Sequence, residues 1–225
     1  MITWRDMLKQ KAVKIPLELP EEIPLLELDD AVLLPKGQLP VHLDARARSG
    51  FFSALANERL LGVVQVQKTS VSTQPVLFKT GCLGRIVAFS ENEEGDPFAV
   101  LVGLARFQII EEKIDEQGTR VARVNYEPYA FDRIKEEETN VDDRERFLEI
   151  VRGYCNTLDL HPNWEEVLKT SDDVLVTALS MMCPFEAQEK QALLETMTLQ
   201  DRVRVLTALM ELACLKKQSP LWQLH

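Results

Sequence analysis

Residues 81–110, GCLGRIVAFSENEEGDPFAVLVGLARFQII, hold two apolar runs joined by a polar, acidic turn that contains Gly95. Apolar runs bounded by turn residues are the signal of paired strands, so this stretch predicts a β-hairpin. The second run carries Gly103 and Arg106 where uninterrupted Val, Leu and Ile would be expected. A glycine inside a strand weakens it and packs nothing, so Gly103 predicts a bulge or the close approach of another backbone. Arg106 is then expected to turn back to the edge of the sheet. There it would pair with a carboxylate or cap exposed carbonyls, a structural role rather than ligand binding.

The rest of the first half repeats this pattern. IPLLEL, LPVHL, LLGVVQVQ, PVLFKT and TRVARVNYEPY read as further strands. One helix interrupts them over ARARSGFFSALANE, with Asp44 as its N-cap. Ala47, Phe51, Phe52 and Leu55 are expected on its buried face, with Gly50 a weak point. Six or seven strands with a single inserted helix, and no βαβ alternation, predict a closed or nearly closed sheet. After Tyr129 the apolar period changes to 3.6. Phe147, Ile150, Val151, Tyr154 and Leu158 make one stripe. Asn163 with Glu166, Ser171, and Thr198 with Asp201 read as helix N-caps, and Pro184 as a first-turn residue. Lys216 and Lys217 close the last helix at the negative end of its dipole.

The expected organisation is therefore α+β. An N-terminal arm covers 1–21, with a short amphipathic helix over 2–13 followed by Pro16 and Pro20. A strand-rich part covers 22–130 and a helical bundle 131–225. Residues 130–142 are acidic and lack apolar periodicity, so a loosely coupled junction is expected there. Charge supports the division: residues 1–130 carry 15 Lys/Arg against 18 Asp/Glu, and residues 131–225 carry 11 against 18.

A net charge of −10 argues against a protein that tracks nucleic-acid phosphates. No apolar run reaches the roughly 18 residues of a transmembrane helix, and the first 20 residues lack a secretory apolar core. The cytoplasm is the expected compartment. Cys82, Cys155, Cys183 and Cys214 form no C-x-x-C, so free, buried thiols are expected rather than a disulfide framework.

The sequence carries few signatures of chemistry. The phosphate-binding G-x-x-x-x-G-K-[ST] loop is absent, as is the G-x-S-x-G elbow. His42, His161 and His225 are far apart and outside H-E-x-x-H, so no metal or cofactor site is expected. His42 reads as a structural histidine, and the carboxylates of ENEE and KEEE as solvated charge runs. Arg46 and Arg48 could hold an anion at the helix start, but pairing with Asp29, Asp30 or Asp44 is the simpler reading.

Taken in order, IPLLELDDAVLLPKGQLPVHL, a helix, LLGVVQVQ, and then Gly81, Gly84, Arg85, Ile86, Gly95, Gly103, Arg106 and Phe107 resemble the N-terminal domain of the Lon ATP-dependent proteases. The likeness is greatest to stand-alone bacterial proteins that carry this LON substrate-binding domain, the peptidase S16 N-terminal type, alone. Lys190, Gln191, Leu193, Leu194, Glu195, Asp201 and Arg202 resemble the helical half of that family. The resemblance covers about residues 22–215. It implies a PUA-like pseudo-barrel followed by a helical bundle, and a role in binding unfolded or extended polypeptide, with an adaptor role in protein quality control as one form of it. The family's ATPase module and Ser-Lys peptidase module have no counterpart here, so no enzymatic activity is expected. Gly81, Gly84, Arg85, Gly103, Arg106 and Phe107 are expected to be structural. An RNA-binding role of PUA-like type is the alternative. The sequence leaves the oligomeric state open.

Overall fold

The computed structural model describes residues 16, 18–43, 45–56, 58–67, 75–91, 97–116, 118–134 and 140–218. Residues 1–15 and 17 of the expected 1–21 arm, the expected N-cap Asp44, residues 92–96 with Gly95, and His225 lie outside these residues. So do the side chains of Arg46 and Ala47.

Seven strands appear in the order β1 (Glu22–Leu28), β2 (Gln38–His42), β3 (Leu60–Gln67), β4 (Val76–Leu77), β5 (Thr80–Glu91), β6 (Pro97–Ile114) and β7 (Arg120–Asn125). The helix α1 (Ala45–Ala56) lies between β2 and β3. Neighbouring strands run β1-β7-β6-β5-β3, and β3 returns to β1 through a parallel ladder from Leu25–Gly62 to Leu28–Gln65. The ring is thereby closed, so within it each of these five strands is paired on both sides. β2 attaches to β6, and β4 extends β3.

Two apolar clusters use the two faces of this ring. One draws on all five ring strands, with Ile23, Leu25, Leu60, Leu83, Leu104, Phe107 and Val124, and fills the interior. The other packs Leu26, Leu61, Val63, Ile86 and Leu101 on the outer face against Leu33, Leu34, Val41 and Phe51. The alternation of side chains along a strand is what allows one strand to feed both. α1 reaches this outer face because Gly50 has no side chain: a Cβ there would stand 2.1 Å from the Leu25 carbonyl oxygen. The residue that propensity counts against the helix is the one that lets it dock.

A 3-10 helix (Glu127–Arg133) follows β7, and then α2 (Arg144–Leu158), α3 (Trp164–Lys169), α4 (Asp172–Met182), α5 (Ala187–Glu195) and α6 (Leu199–Gln218). Asp143 caps α2 by accepting from Arg146 N–H at 3.0 Å, and Asn163 caps α3 by accepting from Glu165 N–H at 3.1 Å. Thr198 accepts from Asp201 N–H at the start of α6. Phe147, Val151, Tyr154, Leu175, Leu179, Leu193, Leu206 and Met210 form the bundle core.

The structure departs from the sequence expectations at three places. PVLFKT is no single strand: it holds the two-residue β4, paired to Val66 and Gln67, and its Thr80 opens β5. Pro184 does not open α5; Glu186 does, in a reciprocal cap with Glu189. Phe52 is 43% exposed whereas Phe51 is fully buried, because successive residues on a helix point about 100° apart. The centre of the expected loose junction, 135–139, lies outside the described residues. Asp132 is buried before it, and Val141 is buried after it with its N–H donated to Asp172.

Candidate functional site

Gly103 lies where the loop before β2 crosses β6. Pro35 bridges to it, Lys36 N–H donates to Gly103 O, and Gly103 N–H donates to Gly37 O, both bonds at 2.9 Å. A Cβ at Gly103 would sit 2.0 Å from Leu34 O, so only glycine admits this crossing. The β5–β6 register also shifts here, between Leu83 and Gly84, which pairs Gly84 with Gly103. Gly81 makes room for the ring of Phe107, which would lie 2.7 Å from a Cβ there. Phe107 itself is fully buried and stands edge-on to Tyr126 with ring centres 6.2 Å apart. Arg85 is half-buried, and its Nε has no hydrogen-bond partner among the described residues.

Arg106 is 1% exposed. Its Nε and Nη2 donate to the two carboxylate oxygens of Asp132 at 2.9 and 2.8 Å, and its Nη1 donates to Leu194 O at 2.9 Å and to Thr196 O. The rings of Tyr129 and Phe131 flank the guanidinium, the nearer 4.4 Å from Cζ. The last carbonyls of a helix lack intrahelical partners and attract cations, so Arg106 supplies what the end of α5 requires. At the start of α5 the buried Gln65 donates to Ala187 O at 2.8 Å. Between them Gln191 donates to Thr80 O at 3.1 Å, and the buried Lys190 donates to Asp30 O at 2.9 Å and to Met181 O. Two of the buried charged side chains, Arg106 and Lys190, thus tie β6 and the turn after β1 to α5. Every nitrogen of the Arg106 side chain is engaged, which leaves it unable to bind a ligand without unlatching the seam.

The other candidates sort themselves by surroundings. Burial, reinforced by the Asp132 carboxylate, pushes the Cys82 thiol far up, so it stays protonated and is no nucleophile at neutral pH. Cys155 and Cys183 are also buried and Cys214 half-buried, all as free thiols. His42 packs against Phe98 with ring centres 5.1 Å apart, and His161 is exposed beside Asp159. Arg48 donates to Leu43 O. Among the described residues no group of three His, Cys, Asp or Glu side chains is placed to hold a metal ion.

The surface does carry one feature that the sequence expectation missed. Phe51, Phe52 and Phe89 form a cluster with ring centres 5.3–6.2 Å apart. Phe51 is buried beneath, while Phe52 and Phe89 are 43% and 37% exposed. The buried ring fixes the other two, so apolar area is presented to solvent on a rigid base. The signal was the adjacent pair Phe51–Phe52, which a single helix face cannot bury together.

A family model described as the ATP-dependent protease La (LON) substrate-binding domain matches residues 22–211. A Lon protease of Syntrophus aciditrophicus (strain SB) is 24% identical over 212 residues, 84% of this chain and 25% of that protein. The chain therefore spans a quarter of the length of that relative. Among solved structures, the N-terminal domain of the Mycobacterium avium complex Lon protease superposes with a TM-score of 0.54 at 22% identity, covering 84% of this chain and 98% of the other. A Lon N-terminal domain protein from Xanthomonas campestris superposes with a TM-score of 0.57 at 18% identity, covering 83% and 97%.

Proposed function

The chain belongs to the LON substrate-binding domain family, and from that membership we propose that it binds unfolded or extended polypeptide and cleaves nothing itself. The observation that carries this reading is the exposed Phe52–Phe89 pair on its buried Phe51 base. Unfolded chains differ from folded ones in exposing apolar side chains, and a fixed aromatic surface is complementary to them. The fully engaged Arg106 and the protonated Cys82 are consistent with a binding role, since neither supplies a free cation or a nucleophile. An adaptor acting with a protease or chaperone of the same cell fits such a module.

The test is a titration of a fluorescently labelled, permanently unfolded protein with this chain, run beside a labelled tRNA. Saturable binding of the unfolded protein alone supports the proposal. Tight tRNA binding with no polypeptide signal overturns it in favour of the RNA-binding alternative.

A further inference from the structure

The ladder between β3 and β5 ends at the Leu60–Arg85 pair, and Ile86 N–H donates to Arg59 O at 2.9 Å as the last bond on that side. β5 nevertheless runs on to Glu91, held from its other side by β6 as far as the Glu91–Pro97 pair. A register shift between Ile86 and Ala88 marks the point at which β5 leaves β3, as a bulge bends the strand that carries it. Among the described residues no strand pairs with the β3-side edge of residues 87–90. Ala88, Phe89 and Ser90 are exposed, and Phe89 belongs to the aromatic cluster. Protein edges are normally guarded by charge or proline; the sequence Val87-Ala88-Phe89-Ser90 offers neither.

We propose that this edge receives an extended polypeptide segment as an added β-strand, with Phe52 and Phe89 contacting apolar side chains at alternate positions of the incoming segment. This rests on the polypeptide-binding reading above and specifies its geometry. Backbone pairing gives binding that tolerates many sequences, and the aromatic rings select for apolar character. Charge selects the flank. The protein carries a net charge of −10. The preferred segment therefore carries Lys or Arg beside its apolar stretch. The same net charge opposes pairing of two copies through this edge.

The experiment uses two labelled peptides with the same alternating Val/Phe core, one flanked by lysines and one by glutamates. Hydrogen exchange of the full chain is measured with and without the lysine-flanked peptide, and sedimentation reports the oligomeric state. The proposal expects about tenfold tighter binding of the lysine-flanked peptide, with slowed exchange of the 87–90 amides on binding. It also expects that Phe89→Ser, checked for an unchanged melting temperature, weakens binding of that peptide. Peptide binding that leaves 87–90 exchange unchanged overturns the edge while sparing the broader reading. Dimerisation through this edge overturns it as well. Absence of binding to both the peptides and an unfolded protein removes the broader reading itself.

Discussion

The guanidinium of Arg106 and the carboxylate of Asp132, 26 residues apart in sequence, meet as a two-point fork with N···O distances of 2.9 and 2.8 Å. Both side chains are at most 5% exposed. The same guanidinium reaches 88 residues along the chain to the carbonyl of Leu194. One side chain from β6 therefore ties together the ring, the 3-10 helix after β7, and α5.

Removing either partner of a buried pair leaves an uncompensated charge, at a cost of roughly 3–5 kcal/mol. Arg106→Ala and Asp132→Asn should each lower stability by that order in urea denaturation. Because they share one interaction, the double variant should lose less than the sum of the two. Tryptophan fluorescence, to which Trp164 packed against the bundle core contributes, and far-ultraviolet circular dichroism should report one coincident transition. An Arg106→Ala protein of unchanged stability would show that the fork holds nothing together.

Two glycines should respond in opposite directions. Gly103→Ala drives a methyl group into Leu34 O, a backbone atom that cannot swing away, and should destabilise by more than 2 kcal/mol, roughly the scale of core overpacking and above. Gly153, inside α2, has nothing within 4 Å of the place a Cβ would occupy. Gly153→Ala should stabilise by about 0.4–1 kcal/mol, through helix propensity and the less flexible unfolded chain. Thermal melts of the two variants beside the parent decide both.

The strands, the inserted helix and the long C-terminal helices were legible because apolar period and cap residues are local signals. Gly103 was legible as an anomaly: its place inside an apolar run pointed to a bulge or a close backbone approach, and the loop at Leu34–Gly37 makes that approach where the β5–β6 register also shifts. Asp132 was not legible as the partner of Arg106, because nothing local distinguishes it from the carboxylates around it. Its role is set by the 3-10 helix that turns it inward, and 3-10 turns carry weak sequence signals. The carbonyls of Leu194 and Thr196 were invisible for the same reason, since backbone acceptors leave no mark in side-chain chemistry. Phe52 was assigned to the buried face by its neighbour; which of two adjacent rings goes inward depends on the angle at which Gly50 lets α1 meet β1.

Alkaline pH should lower the stability of the protein relative to neutral pH. Burial pushes the Cys183 thiol from its ordinary value of 9.0 up to about 12. Cys82 and Tyr154 are likewise pushed up by burial. The unfolded chain loses these protons first, so the stability they contribute is complete below pH 9 and declines as pH rises from about 9 towards 12. Lys190 acts oppositely, because desolvation lowers its ammonium and its contribution improves as pH approaches 10.5. With several acids set against one base, urea midpoints should fall between pH 8 and pH 10.5, and the fall should shrink in Cys183→Ala. A midpoint that rises over this range would reverse the assignment.

The central claim is that the Phe52–Phe89 surface binds polypeptide, and it is tested most directly by comparing the parent chain with a Phe52→Ser, Phe89→Ser double variant. Both rings are partly exposed, so the variant should keep its fold, verified by circular dichroism and melting temperature. Fluorescence anisotropy with a labelled, permanently unfolded protein should give a dissociation constant on the order of micromolar for the parent, since the bound segment must offset its own ordering entropy. The affinity should weaken as salt is raised. The double variant should bind at least about tenfold more weakly, the loss of roughly 1.4 kcal/mol. Equal affinity of the parent and a folded double variant would contradict the account.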